Sequence, residues 1–163
     1  MKKLFLAFAL ILVHCGPVLA GEWVYAKSED PMDDTITSSA ILKSTGVGEH
    51  NYSLLVLQCK SGTPVFLMVK FGEKLRGMSK RDTEYVRQRM DKGEVERKDW
   101  LILRQENIIS PYDSKALIES LSNIKTFTVA VDNSDGDEAI AQFEIAGIQA
   151  AAQKLIKDCG TKD

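Results

Sequence analysis

The side chains that could do chemistry are few and scattered. The chain has two histidines, and only His50 lies outside the apolar N-terminal leader, in a turn with Gly46, Gly48 and Glu49. A Ser-His-Asp or Cys-His arrangement would have to use it as its base. A lone loop histidine reads as solvated, and one histidine leaves a zinc site short of ligands. Asp30, Asp33 and Asp34 could gather a hard cation, but their spacing fits no standard loop, and an aspartate-capped turn accounts for them. Asp132, Asp135, Asp137 and Glu138 look superficially like a calcium loop. With Gly136 in the sixth place, however, Val131 would be the first ligand and Gln142 the twelfth, so the register fails. Nothing singles out a carboxylate pair for glycoside hydrolysis. Tyr85, Arg87, Arg89 and Asp91 alternate with Val86, Gln88 and Met90. That is one polar face of a strand, either solvated or prepared for an anionic or protein partner. These residues predict no catalytic group, no metal site and no cofactor.

The leader decides the compartment. Lys2 and Lys3 precede an unbroken apolar run over residues 4–13, and Pro17-Val18-Leu19-Ala20 ends in a small-x-small pattern. The expectation is a secretory signal over residues 1–20, cleaved after Ala20 and too short to span a bilayer. Cys15 raises a lipoprotein as the alternative, but His14 stands where a lipobox wants a small side chain. No later stretch reads as a transmembrane segment. Cleavage leaves about 140 residues, enough for a single domain with its own core, over residues 21–163. The formal net charge of −2 becomes more negative once Lys2 and Lys3 are removed. No basic face dominates, which argues against a nucleic-acid partner.

Cys59 and Cys159 then form an even pair in an exported chain, most simply one disulfide, with two buried free thiols as the alternative. Cys59 closes the first of two apolar runs of strand length, residues 54–59 and 65–72, separated by Lys60-Ser61-Gly62-Thr63-Pro64. That reads as a central β-hairpin. Cys159 shares a helical stripe with Ile148, Ala152, Leu155 and Ile156, so it points toward a core where Cys59 could meet it. Other strands are expected over residues 22–26, 35–43, 83–91 and 100–103. A second hairpin over residues 125–145 turns at Asp135-Gly136, and a short helix begins at Asp113. Trp23 and Trp100 read as core anchors. The fold class is α+β: a mostly antiparallel sheet, a small sandwich or a partial barrel, with a C-terminal helix packed on it and one disulfide.

The order Trp23, Asp30-Pro31-Met32-Asp33-Asp34-Thr35, Leu55-Val56-Leu57-Gln58-Cys59-Lys60, Val69-Lys70-Phe71-Gly72, Val86-Arg87-Gln88-Arg89-Met90-Asp91 and Trp100 resembles the small exported VasI-type proteins. These are also called TagO-like, and are associated with type VI secretion. Phe143-Glu144-Ile145-Ala146-Gly147-Ile148 and Cys159 resemble the family's strand, glycine, helix and cysteine ending. The chain departs from the family at Gln58, where arginine is usual, and at Arg89-Met90-Asp91, where the family has Arg-Phe-Asp. These departures bear on the partner more than on the fold. The family has no established catalytic residues, so the resemblance implies a non-enzymatic periplasmic accessory protein with a protein partner. The expected contact surface is Tyr85, Arg87, Arg89 and Asp91 with the Asp30, Asp33, Asp34 loop. The alternative is an inhibitor of a lysozyme-type cell-wall hydrolase, acting through a protruding loop at residues 45–51.

Overall fold

A computed structural model describes residues 22–45, 52–73, 75, 83–103, 107–133 and 136–160. The leader with Cys15, His50 and the rest of loop 46–51, and Asp135 lie outside them. The described elements are β1 (Val24–Glu29), β2 (Ile36–Lys43), β3 (Leu54–Lys60), β4 (Phe66–Lys70), β5 (Thr83–Met90), β6 (Glu96–Ile102), β7 (Ile108–Pro111), α1 (Ser114–Ser120), β8 (Thr126–Asp132), β9 (Glu138–Glu144) and α2 (Ile148–Cys159). The strands form one nine-stranded sheet in the order β1-β2-β3-β4-β7-β6-β5-β8-β9, and every pairing is antiparallel.

Register assigns one face of this sheet to the core. Residues directly opposite on neighbouring strands share a face. Ala40 faces Leu57, Leu57 faces Leu67, and Leu55 faces Val69, which faces Ile109. On the other half, Met90 faces Phe127 and Phe127 faces Phe143. All of these except the partly buried Met90 are buried. Just beyond β2, the neighbour of edge strand β1, the Thr45 N–H donates to the Gln142 carbonyl of the opposite edge strand β9 at 2.7 Å. The sheet therefore curls toward a partial barrel, and it is one sheet, not a sandwich of two. Both helices pack on its inner face, α2 on β2 and β3 and α1 on β4 and β7.

The terminal helix follows its apolar stripe. Ile148, Ala151, Ala152, Leu155 and Cys159 are buried. Gly147, at φ 84°, turns the chain from β9 into α2, a backbone conformation that a β-carbon would strain. The Cys59–Cys159 disulfide joins β3 to the last turn of α2, with Cα atoms 6.3 Å apart across a sequence separation of 100. Beside it the Gly62 N–H donates to the Cys159 carbonyl at 3.0 Å. The hairpin expected around Cys59 is thus in place, and so are the helix capped by Asp113 and the β8–β9 hairpin.

Three elements differ from expectation. The first strand starts at Val24 and runs through Ser28 and Glu29, residues that read as loop. Trp23 instead precedes it, and its Nε1 donates to the Ala146 carbonyl at 3.1 Å, tying the start of β1 to the β9–α2 corner. β6 starts at Glu96, ahead of the apolar stretch over residues 100–103 that marked it in the sequence. β7 has no counterpart in the sequence reading: four residues ending in proline give too short a pattern to register.

Two polar details carry testable consequences. Asp91 ends β5 in a left-handed conformation at φ 48°. Its Oδ1 accepts from the Lys125 and Thr126 N–H groups at 3.0 and 2.8 Å, joining the end of β5 to the start of β8. Asp91→Ala removes both hydrogen bonds while keeping the strained φ, so a loss of about 1–3 kcal/mol is expected in denaturant unfolding. On α2, burial pushes the Asp158 carboxyl up, but hydrogen bonds from Ser38 and Lys154, with the Lys154 and Lys27 charges, leave it below its ordinary value. The unfolded chain then binds more protons between the two pKa values. The stabilisation is complete above the unfolded value and is lost as pH falls through the folded one. Asp158→Asn should therefore flatten the decline of Tm below about pH 4, measured by calorimetry across a pH series.

Candidate binding groove

The outer face of β5, β6, β8 and β9 is largely polar, with Ala130 and the exposed Ile140 as apolar exceptions, in contrast to the packed inner face. Tyr85 and Arg87 on β5 stand opposite Asp99 and Arg97 on β6. On its other side Arg87 faces Ala130 of β8, and Asp132 of β8 faces Glu138 of β9. Alternation along each strand forces this arrangement, because Val86, Val129 and Val131 take the inward positions.

Arg87 crosses β8 to reach β9. Its Nε donates to Glu138 Oε1 at 2.7 Å, and its terminal nitrogen engages both carboxylate oxygens of Glu138. The residue beneath this bridge is Ala130, small enough to be passed over and only 7% exposed. The hydrogen bond to Glu138, then that residue's charge, raises the Arg87 pKa above its ordinary value. Both partners stay solvent-accessible, with side chains 45% and 29% exposed, so the pair orients the guanidinium more than it stabilises the fold.

Around this bridge lies a half-open groove of about 530 Å³, lined by Tyr85, Arg87, Arg97, Asp99, Ala130, Asp132 and Glu138. It can offer guanidinium donors, carboxylate acceptors and the edge of a phenol that is 62% exposed. Strands hold its walls, so the groups are pre-positioned for recognition. Among the described residues, no three His, Cys, Asp or Glu side chains converge as metal ligands.

The residues expected to form one contact surface are distributed over two places. Tyr85 and Arg87 line the groove. Arg89 lies on the same face, opposite Thr128, but outside the groove lining. Asp91 is engaged at the β5–β8 corner. Asp30, Asp33 and Asp34 form the β1–β2 turn, where Asp30 Oδ1 accepts from the Met32 N–H and Asp33 Oδ1 from the Thr35 N–H, each at 2.9 Å. Hydrogen bonds from the Thr35 side chain and then its backbone hold the Asp33 carboxyl below its ordinary value. Asp30 and Asp33 line a second depression, of about 380 Å³, with Lys60, and it shares no residue with the groove.

Arg97, Asp99, Asp132 and Glu138 are the groove residues that sequence reasoning missed. Asp132 and Glu138 read as turn carboxylates. Arg97 and Asp99 sit in Glu94-Val95-Glu96-Arg97-Lys98-Asp99, where both faces of the strand are charged and exposed, so no alternation marks it. Their signal was the hairpin itself: pairing residues 83–90 back from the Lys92-Gly93 turn puts Arg97 opposite Arg87. Comparison of the chain with protein-family models, curated proteins and solved structures returns no match.

Proposed function

We propose that this is a non-enzymatic protein-binding domain of the periplasm, exported by the leader at residues 1–20 and acting as an accessory protein of the kind associated with type VI secretion. The observation that carries the binding reading is the charged groove on the outer face of β5, β6, β8 and β9. Its arginine is oriented by a bidentate partner, and its aromatic ring is exposed beside it. Oriented arginine and exposed tyrosine are the side chains most enriched at protein-recognition sites. The disulfide agrees with export, because such bonds persist in oxidising compartments. The leader and the resemblance in sequence support the periplasmic and secretion-associated parts of the reading.

The test is a periplasmic cross-linking pull-down with the tagged protein, comparing the parent with an Arg87→Ala/Arg97→Ala variant. A specific partner captured by the parent and lost from the variant is the expected result. Equal capture by both would move the contact surface elsewhere, and no partner in either sample would overturn the binding reading.

A further inference from the structure

The groove keeps two pairs of like-charged neighbours. Arg87 and Arg97 stand directly opposite on β5 and β6, and Asp132 and Glu138 stand directly opposite on β8 and β9. Like charges in that arrangement repel and destabilise a sheet. The Arg87–Glu138 pair answers part of each repulsion and engages the Nε and one terminal nitrogen of Arg87. Arg97 is exposed and has no ion-pair partner among the described residues. Its guanidinium presents the planar set of donors that matches a carboxylate in two-point fashion.

We infer that Arg97, beside the Glu138-anchored Arg87, receives a carboxylate side chain of the protein partner, while Asp132 receives a basic side chain of the same segment. This rests on the protein-binding reading above. The chemistry favours a mixed-charge polypeptide over a polyanion, because Asp99, Asp132 and Glu138 line the same groove and would repel a run of phosphates. Tyr85 supplies a flat, half-apolar platform at the Asp99 side, suited to the aliphatic stems of such side chains.

The test uses defined probes on the isotope-labelled protein, observed by nuclear magnetic resonance. A capped peptide of alternating Glu and Lys should shift the resonances of Tyr85, Arg87 and Arg97, and a capped poly-lysine peptide of equal length should not. Arg97→Gln should weaken the Glu-Lys peptide at least about tenfold, the loss of one charge-assisted hydrogen-bonded contact. Arg97→Lys should fall between, and Arg89→Gln should bind like the parent. The Tm of Arg97→Gln should equal or exceed that of the parent, since a repulsion is removed. Undiminished binding by Arg97→Gln, equal shifts with poly-lysine, or a lowered Tm that marks Arg97 as structural would each overturn the assignment. A cross-linked cellular partner that survives Arg97→Gln would remove the carboxylate receiver and leave the binding domain standing. Groove shifts with the peptide but no cellular partner would do the reverse.

Discussion

Cys159→Ser is expected to lower the unfolding free energy by about 4–5 kcal/mol. The bridge closes a loop spanning a sequence separation of 100 residues, and the chain-entropy account of such a cross-link gives that order of magnitude. In a domain of this length the change corresponds to a drop in Tm of about 10–20 °C. The location matters as well. Cys59 is fully buried in β3 and Cys159 is 4% exposed at the end of α2, so the bond fixes the last helix to the sheet it covers. Calorimetry of the parent and the variant, with a thiol count under denaturing conditions, checks the result. An unchanged Tm would show that packing alone holds α2 in place.

The second large effect is expected at Trp100. It is 1% exposed, the largest of the fully buried side chains, on the inner face of β6 opposite Pro111 of β7. Trp100→Ala removes that volume from a close-packed interior, and a loss of about 3–5 kcal/mol follows from the transfer and cavity contributions together. Tyr85→Ala is the matched control. Its ring is 62% exposed, so stability should change by no more than about 0.5 kcal/mol. Urea unfolding of both variants separates the aromatic residue that holds the fold from the one that faces the groove. Equal losses would contradict that division.

The parts of the fold legible in the sequence were those where one periodic signal dominates. The stripe of Ile148, Ala152, Leu155 and Cys159 marks α2, and Leu67, Val69 and Phe71 mark the inner face of the strand paired with Cys59. Asp113 marks α1 because its Oδ1 has one evident use, accepting from the Ala116 N–H. β7 carries no such signal, being short and proline-ended, and the first half of β6 is charged on both faces. β1 was displaced because its residues, all exposed, alternate without a burial difference to fix their register.

The candidate site was legible only along one strand. Tyr85 and Arg87 stand out because Val86 between them and Gln88 after them turn inward. Arg97 comes from the next strand of the same hairpin and Asp132 and Glu138 from a segment far along the chain, and pairing register, not local pattern, brings them to one place. Asp91 shows the converse. Alternation put it on the polar face, but the strand ends there and its carboxylate is spent on the Lys125 and Thr126 N–H groups.

The most direct test of the binding groove is site-specific photo-cross-linking in the native compartment. A photoreactive residue at Tyr85, at the mouth of the groove, is compared with one at Glu119, exposed on α1. A discrete cross-linked species from position 85 that is absent from position 119 is the predicted result. Cross-linking from position 119 alone, or from neither, would contradict the assignment of the β5–β6–β8–β9 face as the surface that meets the partner.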